Sequence, residues 1–105
     1  MNNELCAKLL TPVSAIGPFQ EEVKKTSIHL VRDSAFLGVH PRKHHLLITV
    51  KSDRAVESSR IVKAEQISKN RWHLDLKIAH ASEIDEEFMR RVRAAYALCG
   101  SGQVS

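Results

Sequence analysis

The sequence predicts an α+β fold: a two-layer sandwich in which a mostly antiparallel sheet of about five or six strands packs against an N-terminal helix and a long C-terminal helix. Three observations predict it. Apolar residues fall at helical spacing near both ends of the chain, as Leu5, Leu9 and Leu10 and again as Ile84, Phe88, Val92, Ala95 and Cys99. Between them, over residues 17–80, the apolar period shortens to two. Strand patterns there follow one another with only short turns between, and without βαβ alternation neighbouring strands run antiparallel. The chain reads as one domain of 105 residues, with a helical segment at 1–16, the β-rich region at 17–80, the second helix at 82–99 and a frayed tail at 100–105.

Asn2 or Asn3 caps the first helix and Glu4 sits in its first turn. Pro12 is expected to stop it, leaving a separate turn over Val13 to Ile16 before Gly17-Pro18 ends helical structure. Phe19, Glu21 and Val23 then alternate, and a strand is expected over residues 26–32, with Asp33-Ser34 as a tight turn. Ala35–Val39 forms a short strand that ends at His40-Pro41, because proline cannot donate to a ladder. His44–Val50 is the clearest strand.

Residues 52–60 are polar and form the longest loop, and Ile61–Ile67 is a strand of untidy alternation. Ser68-Lys69-Asn70 turns the chain into a strand over Arg71–Ala79, where Trp72, Leu74, Leu76 and Ile78 face the core while His73, Asp75 and Lys77 face water. Ser82 caps the last helix, with Asp85 three residues on in a capping-box arrangement. Glu83, Asp85, Glu86 and Glu87 lie at the positive end of its dipole, Arg90, Arg91 and Arg93 lie toward the other, and Gly100 ends it.

Composition bounds what such a domain does. With 43% apolar and 27% charged residues it is ordinary for a soluble globular protein. No apolar run approaches the ~18 residues of a membrane span, and the N-terminus lacks the pattern of a signal peptide, so no membrane association and a cytoplasmic location are expected. Cys6 and Cys99 form no CxxC pair and read as two reduced thiols. The positive charge is concentrated: residues 24–73 carry eleven Lys/Arg against four Asp/Glu, a local excess of +7, while the flanks are −2 and −1. A one-sided field concentrates anions, which favours an acidic ligand or partner.

The segments GPF at 17–19, VKKTSIHL at 23–30, AFLGVHPRKHHLLITV at 35–50, SRIVKAEQISKNRWHLDL at 59–76 and IDEEFMRRVRAAYAL at 84–98 resemble, in content and order, a family of small bacterial domains of unknown function. These are sometimes labelled predicted transport proteins and are distant relatives of YdhG-like and YjbR/MmcQ-like domains. The resemblance implies a sheet packed on helices and no established activity. The YjbR/MmcQ-like branch carries a predicted DNA-binding label, and families of this kind occur as paired modules, which leaves room for a homodimer.

Lys24, Lys25, Arg42, Lys43, Arg54, Arg60, Lys63, Lys69 and Arg71 lie at strand ends and turns; gathered on one edge they would hold an anion, and spread out they would only guard strand edges. A ligand site is expected where residues 68–73 meet Lys25, Thr26 and His40, so its candidate residues are Lys25, Thr26, His40, Arg42, Lys43, Lys69, Arg71 and His73. His29 and His73 would line a surface together with Asp75 if their strands were neighbours. In HPRKHH, His44 and His45 face opposite ways on a strand, and Arg42 and Lys43 disfavour a cation between His40 and His44, so no metal is expected. No GxSxG, GxGxxG, Walker or HExxH pattern occurs, so no catalytic residue and no cofactor are assigned. The expected function is therefore a non-enzymatic binding module for an acidic ligand or partner. A DNA-binding domain is the first alternative, although the acidic start of the last helix would repel DNA. An enzyme with a pocket near Lys25, His40 and His73 is the second.

Overall fold

The computed structural model describes residues 3–56 and 58–99. Helix α1 (Asn3–Ser14) leads into β1 (Gln20–Val23), β2 (Ile28–Val31), β3 (Ala35–Pro41), β4 (Leu46–Ser52), β5 (Ile61–Ser68) and β6 (Arg71–Ile78). A 3-10 turn (Ala81–Glu83) then precedes helix α2 (Glu86–Leu98). The six strands form one sheet in the order β1-β2-β3-β4-β6-β5, with every pair antiparallel. The architecture is the α+β sandwich the periodicities predict.

One face of the sheet is apolar because alternate residues of its inner strands are apolar. Leu30, Leu37, Val39, Leu46, Ile48, Val50, Leu76 and Ile78 are buried in one cluster with Leu9 and Val13 of α1 and Phe88, Val92, Ala95 and Tyr96 of α2. Full burial of each such side chain contributes roughly 1.5–3 kcal/mol, so this cluster dominates the stability. Phe36 and Leu37 are consecutive and both buried, which strict alternation forbids. The register shift between β2 and β3 explains it: Leu30 faces Leu37 while the next residue, Val31, faces Ala35, so Phe36 is the extra residue of a bulge and turns inward. Among the described residues both helices pack on this face, and the opposite face of the sheet carries none.

Several local expectations need correction. Pro12 lies inside α1, near its end, and the helix runs on to Ser14 before Ala15 and Ile16 close the last turns through their N–H groups. His40 and Pro41 stay in β3: β2 ends opposite Val39, so proline's missing N–H costs the β2 ladder nothing. His44 and His45 belong to the β3–β4 turn, closed by the Arg42 N–H donating to the His45 carbonyl at 2.8 Å, and β4 begins only at Leu46. Trp72 is half-buried and outside the core cluster, near the start of β6 and paired with Ser52 of β4 and Gln66 of β5. The cap of α2 is Asp85, whose carboxylate accepts from the Phe88 N–H at 3.1 Å, while Ser82 sits in the preceding 3-10 turn. Gly100, Asn2 and the tail at 101–105 lie outside the described residues.

The two ends of α2 are tied down differently. Arg60 reaches across to the N-terminal end, with Nη1 2.9 Å from Asp85 Oδ1 and Nη2 donating to the Glu83 carbonyl at 2.6 Å. At the other end the β2–β3 turn caps the helix. The Asp33 N–H donates to the Cys99 carbonyl at 3.0 Å, and Arg32 Nη1 donates to the Tyr96 carbonyl at 3.0 Å while its guanidinium lies 4.2 Å over the Tyr96 ring. Both cysteines are free thiols, and among the described residues no helix is long and apolar enough to cross a membrane.

Candidate functional site

The uncovered face is built from the residues that alternate with the core set. One row crosses the whole sheet through successive pairs: Glu22 beside His29, His29 beside Gly38, Gly38 beside Thr49, Thr49 beside Asp75, and Asp75 beside Lys63. Along the strands His40 follows Gly38, and Lys51 pairs with His73. Gly38 is therefore a gap in the middle of a polar face. A Cβ there would stand 3.2 Å from His40 Nε2 and within 3.6–3.8 Å of Thr49 and His29, which is tighter than His40 accommodates without moving.

The gap opens into a hollow of about 290 Å³ over Gly38, walled by His29, His40, His73, Thr49 and Lys51. The His29 and His40 rings meet edge to face with centroids 6.1 Å apart. Burial pushes the His40 pKa below its ordinary value, and the nearby Arg42 and His29 push the same way against Asp75. The His40 ring is thus neutral at pH 7, able to donate from one nitrogen and to gain a proton when an anion arrives. Thr49 donates its hydroxyl proton to Asp75 Oδ1 at 2.8 Å, and Lys51 Nζ donates to Ser34 Oγ at 3.2 Å. Among the described residues no carboxylate lines the hollow, and its nitrogen donors are three imidazoles and one ammonium, the Thr49 hydroxyl being turned to Asp75. Among the described residues no three His, Cys, Asp or Glu side chains gather into a metal-binding group.

The eight residues singled out from the sequence fall in three places. Lys25, Thr26, Arg42 and Lys43 come together where the β1–β2 and β3–β4 turns adjoin, around a groove of about 480 Å³ that Lys24 and Ser27 also line, with Val23, Ile28 and Pro41 as its apolar walls. Lys24 there pairs with Glu22 at 3.6 Å. His40 and His73 line the hollow. Lys69 and Arg71 sit at the β5–β6 turn, at the other end of the strands, where Arg71 donates to the Asn70 carbonyl at 2.9 Å.

His29 and His73 are not on neighbouring strands, since β3 and β4 lie between them, yet both reach the hollow because Gly38 leaves the space open. Gly38, Thr49 and Lys51 are absent from the sequence-based set. The lone glycine inside the apolar alternation of β3 was the available signal, since an isolated glycine in a strand marks a close approach.

No curated protein and no solved structure matches the chain. Residues 2–98 match the DUF5655 domain, a domain of unknown function, over nearly the whole sequence. The chain belongs to the DUF5655 family.

Proposed function

We propose that the protein is a non-enzymatic cytoplasmic binding module that takes a small anionic ligand, a phosphate or a short carboxylate, in the hollow over Gly38. The observation that carries the reading is the lining: His29, His40, His73 and Lys51 surround a glycine floor with no carboxylate among them. A volume of about 290 Å³ lies at the lower end of ligand pockets, which run from about 300 to 1,000 Å³, so the ligand is a small one. Imidazole N–H groups and an ammonium are strong partners for an anion only where water is partly excluded, as it is for half-buried His29, His40 and His73. The groove between the two basic turns adds positive potential at one end of the same sheet and steers anions toward this side of the molecule. We also place the family as a distant relative of the YdhG-like and YjbR/MmcQ-like domains, on the segment order from Gly17 to Tyr96.

The test is a titration with inorganic phosphate and with citrate at low salt, followed through the imidazole proton resonances. His40 and His73 are expected to shift with a millimolar or tighter midpoint. The affinity is expected to rise as pH falls below 6.5, because a bound anion raises the depressed pKa of His40 and so couples binding to proton uptake. Gly38→Val fills the hollow while suiting a strand, so it should abolish the shifts and leave the fold intact. Imidazole resonances that ignore both anions at pH 6 would sink the reading.

A further inference from the structure

Independently of any ligand, we propose that β5 is a self-pairing edge and that the protein forms a symmetric dimer by joining two β5 strands antiparallel across Ala64. β5 is the outer strand of the sheet, with β6 on one side and, among the described residues, no strand on the other. Two of the three large exposed apolar side chains among the described residues lie on it, Val62 at 54% and Ile67 at 51% exposure. Both sit at its register shifts, and between them Lys63–Gln66 pairs regularly with Asp75–Trp72. The strand therefore offers a straight four-residue centre flanked by outward-turned apolar residues.

The charge order along that centre selects a partner and a register. Paired residues of an antiparallel ladder share a face, so a twofold register is centred on one residue. Centring on Lys63 opposes two lysines, and centring on Glu65 opposes two glutamates. Centring on Gln66 leaves both charges without an opposite partner. Only Ala64 at the centre puts Lys63 of each copy opposite Glu65 of the other, twice, with the small Ala64 side chains meeting on the axis. Neither Lys63 nor Glu65 has an ion pair or side-chain hydrogen bond within its own chain among the described residues, so both are available. The other edge behaves oppositely. In β1 the registers centred on Glu21 or Glu22 each bring two glutamates face to face.

Bulges and a lysine commonly guard an edge against indiscriminate pairing. Here the same devices admit a second copy of this chain in one register. The twofold axis stands perpendicular to the sheet, so two six-stranded sheets join into one and both Gly38 hollows open on the same side. Edge pairing of this length buries less than the ~1,200 Å² of a stable complex, and the dimer is expected in the range of about 10–100 µM.

Sedimentation of the full chain from about 1 µM to 1 mM reads the equilibrium. A concentration-dependent rise toward twice 11.8 kDa is expected. Lys63→Glu should weaken it at least about tenfold, and the exchanged pair Lys63→Glu with Glu65→Lys should restore it. A second readout avoids any effect of those charges on the fold. Ala64→Cys places a thiol on the axis, where facing strand residues are close enough for a disulfide, so mild oxidation should give a covalent dimer while Lys69→Cys gives none. A single 11.8 kDa species throughout, a dimer indifferent to Lys63→Glu, or failure of Ala64→Cys to cross-link would each overturn the proposal.

Discussion

Two glycines, Gly38 and Gly17, do opposite work at the level of single residues. Gly38 withholds a side chain so that three imidazoles surround a space, whereas Gly17 withholds one so that Tyr96 can fill it. A Cβ on Gly17 would stand 2.5 Å from Tyr96 Oη, whose hydroxyl donates to the Pro18 carbonyl at 2.6 Å. The same ring meets Phe36 edge to face with centroids 5.1 Å apart and lies under the Arg32 guanidinium, so it cannot move without disturbing the core and the end of α2. Gly17→Ala is therefore expected to destabilise the protein by about 1–3 kcal/mol, the range for overpacking a filled site, and urea denaturation would measure it. A loss below a few tenths would show that Tyr96 is free to swing. From sequence Gly17-Pro18 read only as a helix stop, because the partner that makes the glycine obligatory lies 79 residues away, at Tyr96.

The elements were legible to the extent that their signals were periodic. The apolar stripe of α2 from Phe88 to Cys99 and the alternation of β6 from Leu74 to Ile78 required no tertiary information and lie where the periods place them, whereas Ile84 precedes the helix and Trp72 stands outside the core cluster. The start of α2 is placed three residues early by the sequence, which makes Ser82 the cap and Asp85 its capping-box partner, whereas the cap is Asp85. The choice falls to Asp85 because Glu83 is otherwise engaged: its carboxylate accepts from the Ala79 and His80 N–H groups at 2.6 and 3.0 Å and holds the 3-10 turn. These bonds hold the Glu83 carboxyl below its ordinary 4.5. The Phe88 N–H, and then Arg60, hold Asp85 below 3.8. Groups with depressed folded values contribute stability that is complete above their unfolded values and is lost as pH falls through the folded ones. His40, with its depressed folded value, starts a first loss below pH 6.5, the two carboxylates add a steeper fall in the thermal midpoint below about pH 4.5, and Asp85→Ala should lower the neutral-pH midpoint by about 5 °C while flattening only that steeper limb. An Asp85→Ala protein with an unchanged acid limb would mean that other carboxylates set it. β5 was legible but untidy, and its two register shifts, invisible to any periodic template, are the reason.

At the scale of the whole molecule, the +7 excess of residues 24–73 does not gather into one patch. Lys24, Lys25, Arg42 and Lys43 stand at one end of the strands, and Lys51, Arg54, Lys69 and Arg71 stand at or near the other. Strands of seven or eight residues separate the two groups by roughly 20 Å, more than two Debye lengths at physiological salt, so each acts alone. Several members are further engaged within the chain: Arg54 pairs with Asp53 at 3.0 Å, and Arg60 lies 2.9 Å from Asp85 and 3.7 Å from Glu87. Charge was legible in the sequence as an amount, but its division between two ends depends on the direction of each strand, which only the topology supplies. A duplex laid on this surface meets one cluster of four cations at a time. Each phosphate contact contributes about 0.9 to the slope of log affinity against log salt, so any DNA binding is expected to show a slope no steeper than about −4 and to be weak at physiological salt. Fluorescence anisotropy with a short labelled duplex across a salt series measures this directly. A slope near −7 would mean that both ends engage one nucleic acid together, and the small-ligand reading of the open face would then give way to a nucleic-acid interface.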